Sequence, residues 1–136
     1  MRMKAPLIFI KAAVLLFCIS LLGCGPSRPE IFKVDPAYGE YVSGYTSGMV
    51  TRKTNIRIEL AESVLDNPTD PEALPDSTLL KDIFSFEPEL KGKAVWISDR
   101  VIEFIPDDVI PASQFYTVDF DLERVAKVKK DYRNFK

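Results

Sequence analysis

The side chains able to do chemistry in this chain are few: two cysteines, no histidine, and 20 carboxylates against 18 lysines and arginines. Without histidine there is no Ser-His-Asp or Cys-His nucleophile pair, no imidazole base and no His-ligated zinc. Catalysis would have to rest on carboxylates, lysine or tyrosine alone. Paired carboxylates do cleave glycosides, but no spacing here shows that two of them meet, and so small a core leaves little room for a substrate pocket. The densest acidic group is Glu62, Asp66, Asp70, Glu72 and Asp76, all within 62–81. Carboxylate oxygens suit calcium, yet the stretch lacks the glycine and the regular spacing of a calcium loop. A solvated loop is the expectation, with calcium as the alternative. Asp107-Asp108 follows Ile105-Pro106, where aspartate is common for turn-forming reasons alone. The chain therefore reads as non-enzymatic, with no catalytic residue, cofactor or metal ligand assigned.

Cys24 is the residue with a specific chemistry. Arg2, Lys4 and Lys11 lead into an apolar run over 12–22, which ends in Leu21-Leu22-Gly23-Cys24. Positive charge, a short apolar core and a small residue before the cut make a secretory signal peptide, and eleven residues (12–22) are too few for a permanent span. Gly23-Cys24 resembles a bacterial lipobox, in which the thiol is diacylated, the peptide is cut before it and the new amino terminus is acylated. Residues 1–23 would leave, and Cys24 would be the lipidation site and first mature residue. The alternative is a secreted protein cut elsewhere, with Cys24 a free thiol or disulfide partner. A disulfide is disfavoured because Cys18 lies in the departing run. Several acyl chains on one cysteine anchor stably, since each buried methylene contributes about 0.8 kcal/mol while a single chain is marginal. The membrane is thus the first expected partner. Gly25 stands where an acidic residue acts as an inner-membrane retention signal in some bacteria, so the outer membrane is the expected location, with its periplasmic and surface faces both open.

Removing residues 1–23 leaves 113 residues, one domain's worth. The three basic residues lost leave 15 against 20 acidic, a net charge of −5. No strongly basic face can be assembled from that balance, so nucleic acid is not an expected partner. Residues 24–40 read as a tether and lead-in: Gly25-Pro26-Ser27-Arg28-Pro29-Glu30 has two prolines and no apolar side chain with which to pack.

Beyond residue 40 the chain is patterned as strands. Ile56, Ile58 and Leu60 alternate with Arg57 and Glu59, and Tyr116, Val118, Phe120 and Leu122 alternate with Thr117, Asp119 and Asp121. Each set places apolar side chains on one face and polar ones on the other. Residues 83–86, 94–97 and 101–105 are short apolar runs, the last two joined by Ser98-Asp99-Arg100, which predicts an antiparallel hairpin. Residues 41–45 are a weaker strand in which Gly44 marks a bulge or a close approach. Prolines at 68, 71 and 75 break 62–81 into a long loop. The expected fold is an all-β, Ig-like antiparallel sandwich of about six to seven strands over 41–125, with Phe86, Trp96, Phe104 and Phe120 in its core.

The order Tyr45-Thr46-Ser47-Gly48, Ile56-Arg57-Ile58, Phe84-Ser85-Phe86-Glu87-Pro88, Lys91-Gly92-Lys93-Ala94, Trp96, Glu103-Phe104-Ile105-Pro106 and Tyr116-Thr117-Val118 resembles a bacterial Ig-like domain. More closely, it resembles the amino-terminal domain of the alpha-2-macroglobulin-type lipoproteins of the Bacteroidetes group. The resemblance implies a protease-inhibitor scaffold rather than a trap, because no Cys-x-Glu-Gln thioester motif occurs here. In this pattern Gly92 is expected to permit a turn, Trp96 to fill the space between sheets and Pro106 to close a hairpin. Residues 126–136 are then either a basic tail or the start of a last strand that the family begins near Phe135. A sandwich short of that strand would be a fragment with an open edge, paired by downstream macroglobulin domains or by a strand-donating partner. The rival expectation is a stand-alone surface or periplasmic lipoprotein that binds a protein or glycan, with the tail solvated or, through Lys127, Lys129 and Lys130, resting on anionic lipid.

Overall fold

The computed structural model of the chain describes residues 33–65 and 74–136. The strands are β1 Val42–Tyr45, β2 Ile56–Leu60, β3 Phe84–Glu87, β4 Gly92–Trp96, β5 Val101–Pro106, β6 Thr117–Asp121 and β7 Asn134–Phe135. They form two antiparallel sheets, β1-β2-β5-β4 and β3-β6-β7. The fold is an all-β, Ig-like sandwich whose remaining regular pieces, among the described residues, are short 3-10 turns.

Alternation in the sequence becomes burial in the sheets. Ile56, Ile58 and Leu60 are buried while Arg57 is exposed, and Ile58 pairs with Ile102, Ile56 with Phe104 across β2 and β5. In the second sheet Phe84 pairs with Phe120, their rings 4.9 Å apart. Phe104 reaches across the gap to Phe84 at 5.6 Å, which joins the two inner faces into one core. Strands β4 and β5 are the hairpin expected around Ser98-Asp99-Arg100. The register slips between Val42 and Gly44, a bulge where glycine had marked one.

Several expectations are corrected by the packing. Phe104 and Phe120 are buried, but Phe86 and Trp96 are only half-buried, lying at the side of the core rather than in its middle. Both sit on strands that border a sheet, so each lacks a neighbouring strand on one side among the described residues. Gly92 makes no turn. It lies within β4, where a Cβ would meet the Ile105 carbonyl oxygen and come within 2.6 Å of the Phe104 ring. The missing side chain is what lets Phe104 lie across the strand, and Gly92→Ala is expected to cost about 1–3 kcal/mol. The urea midpoint should fall with an unchanged m-value; an unchanged midpoint would place Phe104 elsewhere.

The loop 62–81 is not structureless at its end. Residues Ser77–Leu80 form a 3-10 turn, Asp76 caps it by accepting from the Thr78 amide at 2.9 Å, and Leu80 is buried. Along β6 the polar face is half-buried rather than fully wet. The segment 126–136 is carried by the domain: Ala126 and Val128 pack against the core, and Phe135 is buried in β7, paired with Phe120. At the other end Val34 and Tyr38 also pack against the core, so the folded body begins ahead of residue 41.

Candidate functional site

The two long sides of the sandwich differ, and the difference locates the candidate site. On one side, β1 and β7 are bridged by aromatic rings. Asp35 caps the 3-10 turn Pro36–Glu40 by accepting from the Ala37 amide, and proline at the start of the turn fixes its opening dihedral. That turn presents Tyr38 to Tyr132 and Phe135 at ring distances of 5.0 and 5.1 Å, and Tyr45 meets Phe135 at 5.0 Å. The Tyr38 hydroxyl donates to the Asn134 carbonyl at 2.6 Å. Lys129 pairs with Glu40 at 3.1 Å, and Lys136 with Asp119 at 3.2 Å. These exposed ion pairs contribute little by themselves; the rings and the buried Phe135 hold the clasp.

Burial, then the charges of Asp35, Tyr132 and Asp119, raise the Tyr38 hydroxyl above the ordinary tyrosine value of 10.0. The hydrogen bond to Glu40 and its charge likewise raise Lys129 above 10.5. A raised folded-state value means the contribution is present below the ordinary value and is lost as pH rises through the raised one. The clasp should therefore hold at neutral pH and loosen above about pH 10, where a phenolate can no longer donate to Asn134. Amide exchange at Phe135 should accelerate in that window in the wild type. In Tyr38→Phe the alkaline step should shrink; an undiminished step would exclude Tyr38 as its source.

On the opposite side, β3 and β4 are the border strands of their sheets among the described residues. Hydrogen bonds fix which backbone groups face outward. Asp107 donates to Lys91 and Ile97 to Val101, so 91, 93, 95 and 97 bond to β5 while Gly92, Ala94 and Trp96 point away from it. Asp121 donates to Ile83, so Phe84 and Phe86 point away from β6. The Trp96 amide is taken by Ser77 Oγ at 3.1 Å. The outward groups of Gly92, Ala94, Phe84 and Phe86 have no partner among the described residues. Between the two borders lies a cleft of about 530 Å³, floored by Phe84, Phe86 and Phe104. Its β4 wall carries Lys91 and Lys93, and the β3 side carries Asp82 and Glu89. Backbone donors and acceptors beside an apolar floor can hold an extended chain; they supply no nucleophile or base.

The residues singled out from sequence are scattered. Cys24 and residues 1–23, the expected signal peptide, lie outside the described residues, as do Asp66, Asp70 and Glu72. Glu62 is exposed, and Asp76 acts as a cap, its carboxyl held below the usual range by the Thr78 backbone and side chain. Asp107 and Asp108 are exposed in their turn. Of the three tail lysines, Lys129 faces Glu40, while Lys127 and Lys130 are exposed. No group of three His, Cys, Asp or Glu able to hold a metal occurs among the described residues. Sequence reasoning does not single out Tyr38 or Tyr132, although Asp35-Pro36 carries the signal of a capped turn.

No family model matches the chain, and no curated protein matches it. Among solved structures it is similar to L,D-transpeptidase 3 from Mycobacterium tuberculosis in complex with a faropenem-derived adduct, at 20% identity and a TM-score of 0.43. That match covers 61% of this chain and 34% of the other. A second structure of the same enzyme gives 0.42 at 20% identity, over 60% and 33%. An L,D-transpeptidase from M. tuberculosis H37Rv gives 0.41 at 20%, over 73% and 40%. The chain thus spans between a third and two fifths of the length of these proteins. No transpeptidase residue or activity is transferred to this chain.

Proposed function

We propose that this chain is a non-catalytic module of the cell envelope, anchored in the outer membrane through lipidated Cys24. In this reading it serves as the amino-terminal scaffold domain of an alpha-2-macroglobulin-type protease inhibitor, with no trapping activity of its own. The observation that carries it is the packed sandwich beginning so soon after the cysteine. Val34, which packs on the core, lies ten residues past Cys24, so the folded body follows the proposed anchor closely in sequence. The segments that carry the family resemblance supply the strands of both sheets: Ile56-Arg57-Ile58 in β2, Phe84-Ser85-Phe86 in β3, Trp96 in β4 and Glu103-Phe104-Ile105 in β5. The clasp between Tyr38 and Phe135 ties the segment that follows the proposed anchor to β7.

A second reading, a stand-alone lipoprotein that binds a partner, is favoured by the open cleft between β3 and β4. Anchoring is tested by Cys24→Ala, which is expected to move the protein from the membrane fraction to the soluble fraction, because the acyl chains supply the attachment. A variant that stays with the membrane after a high-salt wash would sink the lipid-anchor reading.

A further inference from the structure

We infer that the open border of β4 accepts an extended peptide as an added strand, with apolar side chains facing inward and acidic side chains facing outward. This rests on the partner-binding reading and is independent of the membrane anchor. The border offers the outward N–H and C=O groups of Gly92 and Ala94, which have no partner among the described residues. An added strand would satisfy them as a ladder does, the main-chain bonds giving affinity and alternate side chains giving choice. Its inward side chains would meet Phe86 and Phe104, whose rings lie 4.5 Å apart in the floor of the cleft. Phe86 is half-buried because that side of the core is uncovered, so an apolar side chain there removes water from it.

Charge selects the outward side chains and the wall. Lys91 and Lys93 are exposed on the outer face of β4, and neither forms an ion pair among the described residues. Directly opposed unlike charges on neighbouring strands attract, and like charges repel. The β3 wall carries Asp82 and Glu89, which disfavours an acidic strand there. A second copy of this chain is a poor occupant. Pairings of β4 with itself centred on Gly92 or Lys93 set lysine against lysine, and one centred on Ala94 needs the Trp96 amide, already donated to Ser77. Edge lysines thus exclude the protein's own border while admitting an acidic strand.

The test uses the full chain in detergent micelles, isotope-labelled, with a seven-residue synthetic peptide alternating glutamate and valine as the probe. The expected result is saturable shifts at the amides of Gly92 and Ala94, with amide exchange slowed at both. A peptide carrying lysine for glutamate should bind about tenfold more weakly, since each outward contact changes from attraction to repulsion. A glutamate peptide methylated at its valine nitrogens, the ones that face Gly92 and Ala94, should not bind, because it cannot complete the ladder. Lys91→Glu/Lys93→Glu, on two exposed positions, should reverse the preference toward the lysine peptide while leaving the melting curve in place. Shifts confined to other surfaces, equal binding of the two charge types, or full binding of the methylated peptide would each overturn the inference. Absence of binding by the glutamate peptide would do the same, whereas the membrane fractionation of Cys24→Ala would be unaffected by any of these results.

Discussion

Phe120→Ala is expected to lower the stability of the domain by about 3–5 kcal/mol, the usual cost of emptying a fully buried aromatic site. Phe120 has no exposed surface, and it lies between Phe84 and Phe135 in a three-stranded sheet whose middle strand it occupies. Collapse around the vacancy is restricted because β6 is held on both sides, so the cavity term should be near the upper part of that range. A single domain of this length has a total stability of about 5–15 kcal/mol, and each kcal/mol shifts the melting midpoint by about 4 °C or more. The variant should therefore melt at least about 12 °C lower, or fail to fold at about 37 °C. A shift below about 4 °C would mean that the inner face of β6 is not where the alternation of Val118, Phe120 and Leu122 puts it.

Phe135→Ala is the second large effect, expected at about 3 kcal/mol, the low end of the range for a buried phenylalanine. The residue is one position from Lys136, yet it is 4% exposed and touches Tyr38 and Tyr45. Its strand is two residues long, and the backbone bonds of so short a strand hold little without the side chain. Loss of Phe135 should release β7 and the Tyr38 clasp together. In a double-mutant cycle, Tyr38→Ala and Phe135→Ala should cost less together than the sum of the two separately, by about 0.5–1.5 kcal/mol for an aromatic pair. Thermal melts of the four proteins measure this directly. A Phe135→Ala melt equal to wild type would show the last strand to be ornamental and the clasp to be made by Tyr132 alone.

The two candidate surfaces were legible to different degrees. Strand alternation at Ile56, Ile58 and Leu60 and the short Ser98-Asp99-Arg100 connection were sufficient to place β2 and the β4–β5 hairpin, because side-chain direction in a strand is a local, two-residue property. Gly44 announced a bulge for a similarly local reason. Nothing local separates Phe86 from Phe120, since both alternate in the same phase with polar neighbours. Phe120 is fully buried with a paired phenylalanine on either side, Phe84 and Phe135, whereas Phe86 pairs only with Val118 among the described residues and lines the cleft on its other side. Gly92 misled for the same cause: its reason for being glycine is a ring twelve residues away, not the chain on either side of it.

The sequence by itself determined the class of fold, an all-β sandwich, and the chemistry excluded by having no histidine. It also carries the expectation of a lipid address at Cys24, since the charges, the apolar run and Gly23-Cys24 are contiguous in the chain. The tertiary structure decided which borders are closed and which are open. Residues 126–136 read either as a basic tail or as the start of a last strand near Phe135, and the return of the chain beside β6 makes Phe135 a core residue and Tyr38 its cover. The cleft likewise exists because β3 and β4, consecutive in sequence, belong to different sheets, with the outward groups of Gly92, Ala94, Phe84 and Phe86 unpaired among the described residues. Periodicity tells which way a side chain points relative to its own strand; which strand stands next to it is set by long-range pairing, and that pairing is where this protein's candidate site lies.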